Sequence, residues 1–218
     1  MPYAAGHRAK VKREIIDSAR RLFNRHGFEN VSITQIMAHA GLTHGGFYSY
    51  FKGKSDLYAE VLDCFFTNPE WEHCWEGVDV DLSKGNVGEQ IVRAYLSRGH
   101  FEDVENSCPM VALPTDVSRS DESARRAFQT VFRAMVDVLE RSIAKSVPQR
   151  GDIAQATAAM CIGGMIVART GLDRKVADDL RESCLRTGLK LGQWDKKTAG
   201  RARTSRKKHS KPYRAASQ

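Results

Sequence analysis

The chain lacks every cysteine arrangement that would staple it or load it with zinc. Its five cysteines (Cys64, Cys74, Cys108, Cys161, Cys184) are odd in number and widely spaced, with no CxxC. That excludes a disulfide framework and a zinc ribbon, and fits reduced thiols. It also lacks a run of about 18 apolar residues, the length a membrane-spanning helix requires. The basic start, Met1 to Lys12, has no apolar core of the signal-peptide kind. The cytoplasm is therefore the expected compartment, and no membrane partner is expected. GxSxG, HExxH, a phosphate-cradling glycine loop and suggestively paired acids are all missing, so no catalytic constellation, metal or cofactor is expected. Long alternating segments are missing as well, which leaves little room for strands.

Acid is missing from one stretch altogether. Residues 196–218 hold nine Lys or Arg and no Asp or Glu. They account for the net charge of +8, since the rest of the chain sums to −1. Within that rest, residues 1–54 carry +6 and residues 55–195 carry −7. Two basic ends around an acidic middle suit a polyanionic partner at the N-terminal part, although a soluble protein with a basic tail has the same charge pattern. The tail from Asp195 onward, rich in Lys, Arg, Ser, Ala and Thr, has too few apolar groups to pack and is expected to be disordered.

What is present reads almost throughout at helical period. Val11, Ile15, Ile16, Ala19, Leu22 and Phe23 predict a helix over about 10–26, closed by Gly27. A second starts near Ser32 and stops at Gly41. Thr43 opens a short third helix through Tyr50, and Ser55 is read as the cap of a fourth that Thr67-Asn68-Pro69 ends. Residues 68–86 are irregular. Further helices are predicted over 87–101, 121–146, 152–170 and 175–192, with a short piece between Pro109 and Pro114. At 218 residues the chain can bury a sizeable core.

Two helices separated by the tight turn Ala40-Gly41-Leu42-Thr43 have helix-turn-helix spacing, in which the second helix enters the major groove. Gly41 stands where the chain needs positive φ or close approach. That second helix would expose Thr43, His44, Gly45, Tyr48 and Ser49, small or hydrogen-bonding groups suited to phosphate oxygens and groove edges. The run Val31-Ser32-Ile33-Thr34-Gln35-Ile36, then Ala40-Gly41-Leu42-Thr43-His44-Gly45-Gly46-Phe47-Tyr48-Ser49-Tyr50-Phe51 with Lys52, Lys54 and Leu57, resembles the TetR family of bacterial one-component regulators. The resemblance covers about residues 10–62. It implies an all-α fold: a three-helix head over 1–54, a helical ligand-sensing and dimerising body over 55–194, and the basic tail over 195–218. Position by position it implies backbone or base contacts for Thr34 and Gln35. Thr43, Tyr48 and Lys54 would contact phosphates, while His44, Gly45 and Ser49 would face base edges. The tandem Gly45-Gly46 departs from the commonest pattern and weakens the helix by about 1 kcal/mol per glycine. His7, Arg8 and Lys10, before the first helix, would reach a phosphate or the minor groove, or simply be solvated.

For the body, the resemblance implies a small-molecule effector between the helices and a homodimer through the last two. Phe65, Trp71, Trp75, Phe101, Met110, Phe128, Phe132 and Met135 are candidate pocket walls, Met being adaptable to apolar ligands; an ordinary core would use the same residues. Cys108, just before Pro109 at the start of a short helix, would have its thiol pKa lowered by helix N–H dipoles. It joins the ligand-site candidates as an electrophile or oxidant switch. Small residues over 152–170 (Ala154, Ala156, Ala158, Ala159, Gly163, Gly164, Ala168) permit close approach of a neighbour. The leading expectation is a regulator, most simply a repressor, that releases a pseudo-palindromic duplex DNA operator on binding an apolar or electrophilic effector. Two readings from other classes stand beside it: an enzyme with Cys108 as nucleophile and His73 or His100 as base, and an architectural DNA-coating protein.

Overall fold

The computed structural model describes residues 5–67, 81, 85–171 and 173–195, and among these every regular element is helical. Helix α1 (Ala5–His26) buries Val11, Ile15, Ala19 and Phe23 along one stripe, and Gly27 at φ 78° ends it. It begins five residues before the apolar pattern does. Helix α2 (Ile33–His39) starts on a complete capping box, in which the Ser32 hydroxyl accepts from Gln35 N–H and Gln35 Oε1 accepts from Ser32 N–H at 2.8 Å. A six-residue 3-10 helix, His44–Ser49, follows, and α3 spans Lys54–Thr67. Ser55 does not cap α3. The helix already includes Lys54, and Asp56 reaches back to accept from Lys52 N–H at 3.0 Å.

The body comprises α4 (Val87–Tyr95), α5 (Arg98–Glu102), α6 (Pro109–Ala112), α7 (Pro114–Arg119), α8 (Glu122–Ser142), α9 (Arg150–Ala168) and α10 (Arg174–Leu191). The helix expected over 87–101 is two helices. Ser97 caps the second by accepting from His100 N–H at 3.1 Å, and Arg181 of α10 takes the Leu96 carbonyl at 2.8 Å. Helix α8 stops at Ser142, whose carbonyl accepts from Trp194 Nε1 at 3.1 Å. Helix α9, although it holds no unbroken run of 18 apolar residues, is long and apolar enough by length and composition to cross a membrane. Here it is the central core helix, packed between α8 and α10 with Ala154, Ala158, Cys161 and Met165 buried. Its Gly164 lies so near α10 that an added Cβ would sit 2.7 Å from Cys184 Sγ.

Two apolar clusters result. The body cluster gathers Val92, Tyr95, Met110, Met135, Leu139, Ala158, Met165 and Leu189. The head cluster gathers Ile15, Phe23, Ile36, Phe47, Leu57, Tyr58 and Leu62, and takes in Leu113, Val117 and Ala124 from the body. A polar seam runs beside this shared core. Asn24 of α1 donates to the Ser107 and Glu105 carbonyls at 2.8 and 3.1 Å, and Arg20 donates to Glu105 O at 3.3 Å. On the body side Arg169, at the end of α9, donates to Ser107 Oγ at 2.8 Å, to Phe101 O at 3.2 Å and to His100 O.

His100 is fully buried within this seam. Its Nδ1 lies 2.6 Å from the Tyr95 carbonyl, while Nε2 faces the Ser107 hydroxyl at 2.9 Å and Cys108 N–H at 3.3 Å. A carbonyl only accepts and a backbone N–H only donates, so the proton sits on Nδ1 and Nε2 is an acceptor. Desolvation, with the Arg169 charge adding to it against the Tyr95 hydrogen bond, pushes the ring's pKa down to about 3. The imidazole is neutral in the folded chain. Unfolding restores an ordinary histidine near 6.5, so the unfolded state binds the extra proton below that pH and stability falls as pH drops from about 6.5 toward 3. Wild type should therefore lose about 2 kcal/mol more unfolding free energy between pH 7 and pH 5 than His100→Gln in urea titrations. Parallel losses in the two proteins would show that His100 is not held neutral.

Candidate nucleic-acid interface

The turn that sets the two short helices of the head is a Schellman motif. Leu42 N–H bonds the Met37 carbonyl at 2.8 Å and Gly41 N–H bonds Ala38 O at 3.0 Å, with Gly41 at φ 70°. This closure sets the 3-10 helix against α2. Phe47 is its buried anchor, stacked 5.5 Å from Phe51, while Thr43, His44, Gly45, Tyr48 and Ser49 are all exposed. Tyr48 is 61% exposed, the largest value among the big apolar side chains of the described residues, and His44 meets its ring edge-on at 5.9 Å. An aromatic hydroxyl, an imidazole and a serine thus share one surface with no acid among them.

The 3-10 form, in place of the expected α-helix, follows from the tandem Gly45-Gly46 and from Thr43, whose side chain makes no capping bond. Its far end is secured from outside. Arg8 Nη2 donates to the Ser49 carbonyl at 2.7 Å, and its guanidinium lies 5.6 Å from the Tyr50 ring centroid. Arg8 was expected ahead of the first helix. It lies inside α1 and donates to the carbonyl end of the 3-10 helix, where a cation beside terminal carbonyls is favourable. Sequence reasoning missed this role, because no local pattern links residues 41 positions apart.

Thr34 and Gln35 lie exposed on α2 beside that surface, but the Gln35 oxygen is already committed to the capping box. Lys54 is turned back onto the head. Its Nζ sits 4.2 Å from the Phe28 ring centroid and 3.5 Å from the Glu29 carbonyl, and partial burial lowers its pKa, opposed by Glu29 and Asp116.

The residues expected to line a ligand pocket do not share one environment. Met110 and Met135 are buried in the body core, and Phe132 is half-buried against it. Phe128 touches both clusters, while Phe101 lies under the Arg181 guanidinium at 4.9 Å. Trp71, Trp75, His73 and the side chain of Phe65 lie outside the described residues, as does the basic segment 196–218.

Cys108 corrects an expectation. It is at the N-cap of α6, but that helix has four residues and the thiol is completely buried. Desolvation outweighs the Tyr95 hydroxyl, the Met110 backbone and the charges of Arg169 and Arg20, and pushes the thiol up to about 12. It is protonated, not activated. His100 cannot serve it as base, since Nε2 is occupied by Ser107 and by the Cys108 backbone.

Residues 15–61 match the sequence model of bacterial regulatory proteins, tetR family. The HTH-type transcriptional regulator AcrR of Shigella flexneri is 35% identical over 80 residues, 37% of this chain and 29% of that protein. The chain thus matches less than a third of that curated relative's length. In fold the chain is similar to the reduced form of E. coli NemR, with TM-score 0.67 and 17% identity over 83% of this chain and 96% of the other. It is also similar to SmeT in its triclosan complex, with TM-score 0.57 and 20% identity over 83% of this chain and 90% of the other.

The turn makes the interface testable without DNA. A Cβ on Gly41 meets nothing within 4 Å, so any penalty comes from φ alone. Gly41→Ala should lower the unfolding free energy by about 1–2 kcal/mol, and Gly41→Asn by less than half of that. Equal losses would mean that the left-handed turn is not what closes the motif.

Proposed function

We propose that this chain, a member of the TetR family by its head, is a DNA-binding transcription regulator that works as a homodimer and lets go of its operator when a small molecule occupies the body. One observation carries the reading: the exposed, acid-free surface of Thr43, His44, Gly45, Tyr48 and Ser49, held by a Schellman turn on one side and by Arg8 on the other. Thr34 and Gln35 flank it. Tyr48, Thr43 and a swung-out Lys54 contact phosphates in this reading, while His44, Gly45 and Ser49 meet base edges.

For the dimer, α9 and α10 leave a face of small and apolar groups uncovered. Val167 is 48% and Val176 50% exposed, Leu191 is exposed, and a Cβ added to Gly163 would meet nothing within 4 Å. Exposed apolar residues grouped on paired helices suit a second copy of the same face. Repression is the simplest outcome of a dimer occupying an operator, and the cytoplasm is the compartment where that operator is found. SmeT, a structural neighbour, was solved with triclosan, an apolar aromatic compound. A non-covalent apolar effector is favoured here because the thiolate is the reactive form of cysteine and Cys108 is held protonated.

Binding measured against salt tests the interface. Lys54→Ala and Tyr48→Phe should weaken binding to all duplexes alike, with Lys54→Ala lowering the log–log salt slope by about one unit. His44→Ala and Ser49→Ala should change which bases are preferred, by about 1–3 kcal/mol per lost contact. Variants that all bind as wild type does would remove this surface from the contact list.

A further inference from the structure

The head's recognition surface and the dimer-forming helices lie far apart in the chain, yet a single residue is gripped from both sides. Ser107 is fully buried. Its hydroxyl accepts from Arg169 Nη1 at 2.8 Å and donates to His100 Nε2 at 2.9 Å, which ties it to the end of α9. Its carbonyl accepts from Asn24 Nδ2 at 2.8 Å, which ties it to α1 of the head. The preceding residues repeat the pattern. Glu105 O accepts from both Asn24 and Arg20, the Glu105 carboxylate pairs with Arg25, and Asn106 Oδ1 lies 3.4 Å from Arg20 Nη2. Asp103 keeps the loop compact by accepting from Asn106 N–H at 3.0 Å. On the body side Arg169 also holds the His100 and Phe101 carbonyls, and Arg181 of α10 holds Leu96 O.

We propose that residues 103–107 are a strap through which Arg169, at the end of the dimer-forming helix α9, positions the DNA-reading head by way of Ser107 and Asn24. The idea rests on the regulatory reading above and names how the body acts on the head. The strap offers carbonyls to the head and a hydroxyl to the body, so the two grips do not compete for the same atoms. The three Arg169 bonds all end on uncharged oxygens of residues 100–107, so a shift of the end of α9 moves the whole segment together. Its guanidinium is largely buried, and desolvation lowers its pKa to about 10, still high enough to keep it charged. Each bond is therefore charge-assisted and worth about twice a neutral one. With both grips made, the head presents its surface in one orientation. With either one lost, the shared apolar core still holds the head but these directional bonds no longer fix its aim.

A double-mutant cycle on the full chain tests the strap. Arg169→Lys keeps the charge but loses the fork, and Asn24→Ala removes the head's only bond to Ser107 among the described residues, leaving Arg20 and Arg25 on Glu105. Each alone should weaken DNA binding about tenfold, and the pair together should be within about twofold of either single variant, because both cut the same connection. Independent losses multiplying to about a hundredfold would overturn the proposal, as would singles that bind like wild type. Hydrogen exchange supplies a second reading that needs no DNA. Arg169→Lys should speed exchange in residues 17–26 of α1 and leave α8 unchanged. Faster exchange throughout, or none in α1, would show an ordinary packing role. If the wild-type chain binds no duplex at all, the regulatory reading falls, and the exchange measurement still decides the strap.

Discussion

Helix α3 is buried on two sides, and that double burial places the head. Its Leu57, Tyr58, Val61 and Leu62 complete the head core, while the same helix packs along α8. The body in turn sends Leu113, Val117 and Ala124 into the head cluster. Burying a large aliphatic side chain stabilises by about 1.5–3 kcal/mol, so pulling head from body would expose several such groups at once. Asp116 reinforces the weld by accepting from Phe28 N–H at 2.8 Å. With so much apolar surface shared, the head cannot swing freely. Any change in its aim must come from small shifts at the polar groups that border the weld.

The border groups differ in kind from the weld. Apolar contact is non-directional and tolerates sliding, whereas the bonds of Asn24, Ser107, His100 and Arg169 are directional and buried, where leaving a donor or acceptor unmade costs about 1–3 kcal/mol. A buried network of this type therefore has few acceptable arrangements. The neutral His100, with its proton fixed on Nδ1, lets the Ser107 hydroxyl point one way only.

Much of this was legible in the sequence. The stripe Val11-Ile15-Ala19-Phe23, the helix start near Ser32 and the stop at Gly41 each follow a local rule and stand where that rule put them, while α1 begins earlier than its stripe. The exposed set Thr43, His44, Gly45, Tyr48 and Ser49 was equally readable, because Phe47 alone carries the inward face. What failed depends on distant partners. Arg8 extends α1 because Ser49, 41 residues on, holds it. The break at Leu96–Ser97 needs Arg181. Cys108 was misjudged because a helix start was visible and its complete burial was not. Arg169 and Asn24 gave no signal, being single polar residues at the edge of apolar stripes.

In the proposed complex two copies of the head, joined through α9 and α10, read a two-fold related duplex. Selection of bound sequences from a random duplex library by the full chain tests it directly. An inverted repeat should be enriched, with half-site centres about one helical turn, roughly 10 base pairs, apart or a multiple of that. Val167→Glu, placed in the uncovered face, should abolish the enrichment together with the dimer. Retention of all sequences alike, or enrichment of a single unpaired half-site by wild type and Val167→Glu equally, would contradict it.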